Sequence, residues 1–235
     1  MTDLLNSTCN VAQRGTLRLF SDWSVHGQEN VPPMGPLIVV ANHVSNFDPP
    51  LMSASFPRRI WFLAKKELFK GPGKWFFSTY GAYPVNRTAT DPKAYRWALE
   101  KLASDQCVTI FPEGTRSRTG AMKKAQPGVV RLAMKSQAAI VPVGISGTNG
   151  MNSPFHVFRP TGRLRINIGQ AFTLPDIEGR PSAAVLQSMT DMIMERVAIL
   201  LPPEYRGAYD TGADGSAPRI DSVDAVPVAS DDPRN

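Results

Sequence analysis

His43 stands just after an apolar run, Leu37-Ile38-Val39-Val40-Ala41, in the stretch Asn42-His43-Val44-Ser45-Asn46-Phe47-Asp48. Pro49 and Pro50 follow at once. A carboxylate that fixes one imidazole nitrogen leaves the other free as a base for a hydroxyl. On a continuous helix, five residues turn by about 500°, which puts His43 and Asp48 on different faces. They meet only if the intervening stretch is a loop, or if Asp48 caps a helix begun by the prolines. Otherwise the stretch is a surface loop with an N-capping Asp and an idle His.

A second stretch raises the prospect of a site. Cys107-Val108-Thr109-Ile110-Phe111 reads as a buried strand and runs into Pro112-Glu113-Gly114-Thr115-Arg116-Ser117-Arg118. Cys107 lies inside the apolar run and reads as core, not as a nucleophile. No Ser stands in a G-x-S-x-G elbow. His26 and His156 have no motif around them and read as structural. No cluster of further ligands accompanies His43, so nothing suggests a metal site.

Together the two stretches resemble the glycerolipid acyltransferase family, whose bacterial members acylate 1-acylglycerol 3-phosphate (lysophosphatidic acid). That family carries an N-H-x-x-x-x-D block and a downstream F-P-E-G-T-R-S block. Both stand unbroken here, at Asn42 to Asp48 and Phe111 to Ser117. Gly81-Ala82-Tyr83-Pro84-Val85-Asn86-Arg87 matches a weaker block between them, and Ile140-Val141-Pro142-Val143 matches one after them. The resemblance covers roughly residues 20 to 205.

The resemblance implies roles for these residues. His43 would remove the proton from the acceptor's sn-2 hydroxyl, with Asp48 orienting the imidazole. The alkoxide would attack the thioester of acyl-CoA or acyl-carrier protein, with no acyl-enzyme and no cofactor. The acceptor's phosphate would fall to Arg116, able to grip it bidentately. Arg87 is a second candidate. Gly114 would let the backbone approach closely, and the amides of Thr115 and its neighbours could bind anionic oxygen. Glu113 would hydrogen-bond a glycerol hydroxyl or hold Arg116. Lys123 and Lys124 could add positive charge, or be solvated surface lysines. Another acceptor stays open, such as glycerol 3-phosphate, another lysophospholipid or a lyso-aminolipid. So does a non-catalytic basic membrane-binding module.

The elements that must position these residues can be read off in outline. Short apolar runs at 37–41, 60–64, 83–85, 107–111 and 140–145 read as strands, and Leu164, Ile166 and Ile168 alternate as a strand should. Pro142 suggests that its strand is an edge or bulged. Thr90-Asp91-Pro92 offers a capped helix start, with Ala94, Trp97, Ala98, Lys101 and Leu102 on one face. Helices are also expected at 50–56, at 128–136 and at 182–200. Lys65 to Tyr80 mixes four lysines with Phe69, Trp75, Phe76 and Phe77, as a membrane interface or a buried aromatic face would. Strands alternating with helices predict a single α/β domain with a mostly parallel central sheet flanked by helices. Active residues in such sheets sit at strand ends.

The ends differ from the body. An amphipathic segment at 1–23 is expected, frayed over residues 1 to 10 and helical from Ala12 to Trp23. It either enters a lipid interface through Phe20 and Trp23 or packs on the domain. The acyltransferase-like domain would run from 24 to 206. Residues 207 to 235 read as a disordered acidic tail. Val25 to Pro36 reads as a turn-rich approach.

Composition narrows the partners. The chain has 235 residues and a formal net charge of +6. The tail from Gly207 carries six Asp and two Arg, so the rest carries about +10. A basic body attracts phosphates, anionic lipid surfaces or nucleic acid, but no nucleic-acid motif is present. Two distant cysteines make no disulfide framework and fit a reducing compartment. No apolar run approaches the roughly 18 residues that span a bilayer. The expected place is therefore the cytoplasm, peripheral on the cytoplasmic face of a membrane. The sequence leaves the oligomeric state open.

Overall fold

The computed structural model describes residues 2–86, 91–175 and 179–210. Its centre is a sheet of seven strands: β1 (Asp22–His26), β2 (Leu37–Ala41), β3 (Ile60–Lys65), β4 (Ala82–Val85), β5 (Cys107–Ile110), β6 (Ala139–Ser146) and β7 (Arg163–Ile168). The order across the sheet is β1-β7-β6-β2-β5-β3-β4. Every neighbouring pair is parallel except β6 with β7. This is the expected single α/β domain.

The apolar runs are continuous because both faces are covered. On β2, Ile38 and Val40 face a core shared with α4 (Pro92–Leu102), α5 (Gly128–Ser136) and α6 (Ala183–Ala198). Leu37, Val39 and Ala41 face the opposite core, built with Leu17 of α1 (Thr2–Phe20) and with Leu51 and Met52 of α2 (Asp48–Ser55). The Asp91 side chain caps α4, accepting from the amides of Lys93 and Ala94. Ser182 caps α6 by accepting from Val185.

The topology makes one crevice. β2 runs through α2 to β3, on one side of β5. β5 runs through α5 to β6, on the other side of β2. The chain therefore leaves these two adjacent strands in opposite directions and over opposite faces. Ligands of open α/β sheets bind at such a switch point, beyond the carboxyl ends of the strands. His43 follows β2 there, and Glu113 follows β5.

Several sequence expectations need correction. Helix α1 begins at Thr2, so residues 2 to 10 are helical and not frayed. Trp23 lies in β1, with its Nε1 donating to Ser55 Oγ at 3.2 Å, so it is unavailable to lipid. The expected boundary at 23/24 falls inside a strand of the sheet. β1 is short and alternates polar with apolar residues, which hid it in the turn-rich approach. Strand β6 is interior, not an edge. Pro142 is tolerated because its missing N–H faces a bulge, the expected alternative to an edge: Val143 pairs with Ile168 and Ile140 with Phe172, which leaves one extra residue on the partner segment. There Ile140 donates to Phe172 O, and Gly169 donates to Pro142 O at 2.9 Å.

The end of the domain also lies later than 207. After α7 (Pro203–Arg206), Gly207–Tyr209 form a 3-10 turn and Tyr209 is buried. The tail beyond Asp210 lies outside the described residues.

Candidate active site

The loop between β2 and α2 brings His43 and Asp48 together. Asp48 is the first residue of α2, with prolines filling the positions after it. Its carboxylate is wholly buried and reaches back over the loop. Oδ2 accepts from His43 Nδ1 at 2.8 Å and from the amides of Val44 and Ser45, each at 2.8 Å. The carboxylate thus makes the loop; it does not cap the helix. Since a carboxylate only accepts, His43 Nδ1 carries a proton, and in the neutral ring Nε2 is the atom with the lone pair. Among the described residues, Nε2 has no hydrogen-bond partner. The ring stacks on Phe111 with centroids 4.3 Å apart, which fixes its plane from the side of β5.

Asn42 anchors the loop at its start. Its side chain accepts from the Ile145 amide at 2.8 Å and donates to the Ile145 carbonyl at 2.9 Å. The end of β2 is thereby fixed to β6 beyond the last strand pairing.

The loop after β5 is stitched to the His43 loop by two bonds. The His43 amide donates to Glu113 Oε1 at 2.9 Å, and the Ser117 amide donates to the His43 carbonyl at 2.8 Å. The other oxygen of Glu113 accepts from the Lys123 amide at 2.9 Å. Glu113 therefore pairs with neither Arg116 nor an open space for substrate. Its buried carboxyl is pushed up to about 7, first by loss of water and against the pull of those two amides.

Gly114 sits at φ +71, a left-handed turn conformation that favours glycine. Beyond it, the amides of Thr115 and Arg116 have no acceptor among the described residues. The Arg116 guanidinium donates Nη1–H to Asn152 Oδ1 and keeps its other donors. Lys123 Nζ donates to Thr115 Oγ1 at 2.7 Å, so this lysine lies over the turn. Lys124 is exposed. Arg87 lies outside the described residues.

Two side chains escaped the sequence reading. Thr148, wholly buried, donates its hydroxyl to Asp48 Oδ1 at 2.7 Å. Asn152 accepts from Arg116, and its carbonyl accepts from Asn46 at 3.0 Å. Nothing local to either residue marks these contacts. The one hint was the glycine- and asparagine-rich run Gly147-Thr148-Asn149-Gly150-Met151-Asn152, straight after a strand.

Other candidates are elsewhere or inert. Cys107 is in the core, where burial pushes its thiol up to about 11. His26 bonds Ser24 on β1, and His156 bonds the Ser153 carbonyl. Among the described residues, no three His, Cys, Asp or Glu side chains gather as metal ligands.

A buried base oriented by a carboxylate, beside a turn with free amides and a cation, suits acyl transfer to an anionic alcohol. The comparisons agree with this chemistry. The chain is 28% identical over 193 residues to the 1-acyl-sn-glycerol-3-phosphate acyltransferase of Bacillus subtilis (strain 168), covering 80% of this chain and 93% of that protein. It is 30% identical over 128 residues to the protein of the same name from Borreliella burgdorferi, covering 53% of this chain and 51% of that protein. The chain therefore spans nearly all of the first relative and about half of the second. The fold matches the crystal structure of the 1-acyl-sn-glycerophosphate (LPA) acyltransferase, PlsC, from Thermotoga maritima, with a TM-score of 0.64 and 29% identity over 82% of this chain and 77% of that one. The sequence profile of the Acyltransferase family matches residues 22–146, from β1 to the end of β6 and across both site loops, and the chain belongs to that family of acyl-transferring enzymes.

Proposed function

We propose that the chain moves a fatty acyl group from acyl-CoA or acyl-carrier protein to the sn-2 hydroxyl of 1-acylglycerol 3-phosphate, giving phosphatidic acid. The observation that carries this reading is the 2.8 Å contact from Asp48 to His43 Nδ1, which leaves Nε2 as the base. Nε2 takes the hydroxyl proton as the oxygen attacks the thioester carbonyl. The tetrahedral intermediate collapses, the C–S bond breaks, and the imidazolium returns the proton to the departing thiolate. Such a positioned base contributes about 10²- to 10⁴-fold. The acceptor's phosphate meets the Arg116 guanidinium and the Thr115 and Arg116 amides, supported by Lys123.

A membrane must supply this acceptor. Among the described residues, no helix is long and apolar enough to cross one. The reading is instead surface binding, on the cytoplasmic face, where two free thiols such as Cys9 and Cys107 persist. Helix α1 supports it by being turned inside out. Asn6, Gln13 and Leu17 face the domain, while Leu4, Val11 and Leu19 stand outward at 71%, 67% and 74% exposure. Arg14 also turns inward; its Nε donates to the Ala54 carbonyl at 2.7 Å. Trp75 and Phe76 of α3 (Pro72–Tyr80) are exposed beside a groove of about 500 Å³ edged by Lys66, Lys70 and Lys74. Aromatic and cationic groups together suit an anionic bilayer surface.

The test is free-thiol release from acyl-CoA and from acyl-carrier protein, with a panel of acceptors. Turnover with lysophosphatidic acid well above that with glycerol 3-phosphate, other lysophospholipids and lyso-aminolipids is expected. A clear preference for one of those would reassign the acceptor. No release with any of them would leave a non-catalytic binding module.

A further inference from the structure

We propose that the loop from Gly147 to Ser153 registers the two halves of the site: Thr148 holds Asp48 behind His43, and Asn152 aims Arg116 at the acceptor's phosphate. This inference rests on the function proposed above and assigns roles to two positioning residues within it.

The Asp48 carboxylate has two sides. Oδ2 serves His43 and the loop that carries it. Among the described residues, Oδ1 has one donor, the Thr148 hydroxyl, 100 residues along the chain. Without that donor, one oxygen of a wholly buried carboxylate lies unpaired. The group can then recover a bond only by rotating away from His43. Thr148 thus removes the alternative orientation of the group that orients the base.

Asn152 acts on the other half. A guanidinium on a long stem has many rotamers, and holding one raises its use to a ligand. Asn152 Oδ1 takes one Arg116 N–H, and four of the five donors stay available for a phosphate.

The loop is itself held rigidly. Gly147 has φ +87, and a Cβ there would lie 1.8 Å from the Arg163 carbonyl, so only glycine fits. The Gly147 amide donates to the Tyr205 hydroxyl at 3.0 Å. Met151 donates to the Thr148 carbonyl at 3.0 Å, closing a turn. From the other side, Ser45 Oγ donates to the Met151 carbonyl, and Asn46 to the Asn152 carbonyl. The loop therefore touches the His43 loop at three points and the Arg116 loop at one. A base and a phosphate cation from two different strands are set against a single frame, and near-attack geometry depends on such a frame.

The experiment measures kcat and acceptor KM for wild type, T148A, T148S and N152A, on lysophosphatidic acid and on neutral monoacylglycerol. T148A should lower kcat about tenfold, with acceptor KM within about twofold. T148S loses the same methyl group but keeps the hydroxyl, and should recover most of that loss. N152A should raise the KM for lysophosphatidic acid about fivefold, with a much smaller change on monoacylglycerol. Melting curves separate loss of turnover from loss of fold, and T148V, which keeps the volume, replaces T148A if that variant is unfolded. Equal losses in T148A and T148S would reduce Thr148 to packing and overturn its role. Equal losses of N152A on both acceptors would overturn the other. Absence of thiol release from the wild type overturns the underlying function and this inference together. An active wild type with unaltered variants overturns the inference alone.

Discussion

The backbone amide of His43 donates to Glu113 Oε1 at 2.9 Å, across the gap between two neighbouring strands. Glu113 is therefore a strut between the loop that carries His43 and the loop that carries Arg116. A like charge beside a phosphate would repel it, and the structure removes that difficulty by turning the carboxylate inward.

The strut has a pH signature. Burial raises the Glu113 carboxyl to about 7 in the folded chain, above the 4.5 of an ordinary Glu. A group whose folded value is raised contributes its full stability below the unfolded value and loses it as pH rises through the folded one. The window is thus pH 4.5 to 7, and the loss is on the order of 3 kcal/mol at most. Glu113→Gln is neutral throughout and lacks this loss. The melting temperature of the variant relative to wild type should therefore rise between pH 5 and pH 8. A constant difference across that range would show that the carboxyl titrates as an exposed one does.

His43→Ala should lower kcat about a thousandfold with a near-normal melting curve. Asp48→Asn is expected to fold, because its amide oxygen can face His43 and its NH₂ can face Thr148 Oγ1. It should lose kcat by about a hundredfold or more, since the imidazolium formed in the reaction loses its counter-charge. Wild-type turnover by a folded His43→Ala protein would remove the base from the mechanism.

Much of this site was legible because its chemistry is packed into two short segments. His43 to Asp48 is six residues, and Glu113 to Arg116 is four, each behind an apolar strand. Their positions followed from strand ends alone. Thr148 and Asn152 were not legible, because their roles are contacts made 100 and 36 residues away. Nor was the inward polar face of α1. Asn6 faces the domain because its side chain donates to the Tyr80 carbonyl at 2.7 Å, a partner that periodicity cannot supply. Strand β1 has no apolar run to announce it; it exists because β7 offers a parallel edge, with Asp22 opposite Arg163.

Arg116→Lys should raise the KM for lysophosphatidic acid, because an ammonium lacks the planar fork that bonds phosphate twice. A loss of about 1.5–3 kcal/mol corresponds to roughly 10- to 150-fold in kcat/KM. The acyl-donor KM should change less. Since Glu113 does not pair with Arg116, the competing role is a brace on Asn152. Equal losses on lysophosphatidic acid and on neutral monoacylglycerol would favour the brace.

Membrane binding can be tested without touching the fold. Deleting residues 1 to 23 would remove Leu17 and part of β1, so substitutions serve better. V11S, L19S and W75A alter exposed side chains only. Each buried apolar side chain is worth about 1.5–3 kcal/mol, so the triple variant should lose at least a hundredfold in vesicle affinity. Binding by the wild type should favour anionic lipid and weaken with salt. Exchanging Phe155 and Phe158, exposed just after the Gly147–Ser153 loop, for Ala should weaken binding further. Unchanged co-sedimentation of the triple variant would assign the lipid contact to another face.

The acidic tail should be dispensable, but only beyond Asp210. Tyr205 and Ala208 bracket Met122, with the Met122 amide donating to the Tyr205 carbonyl at 2.8 Å and the Ala208 amide donating to the Met122 carbonyl at 3.0 Å. The Tyr209 hydroxyl accepts from the Ala125 amide at 2.9 Å and donates to Asp191 at 3.2 Å. These bonds hold the segment 122–125, whose Lys123 amide binds Glu113. A chain ending at Asp210 should keep wild-type kcat and melting temperature. A chain ending at Arg206 should melt lower and turn over more slowly, because the strut at Glu113 loses its far support. Tyr209→Phe isolates the hydroxyl and should cost about 1–3 kcal/mol, the penalty for an orphaned buried donor. That is roughly 2–12 °C of melting temperature for a domain of this size. If the chain ending at Arg206 matched the longer one in both measurements, the last turn would be ornament and the site would be closed without it.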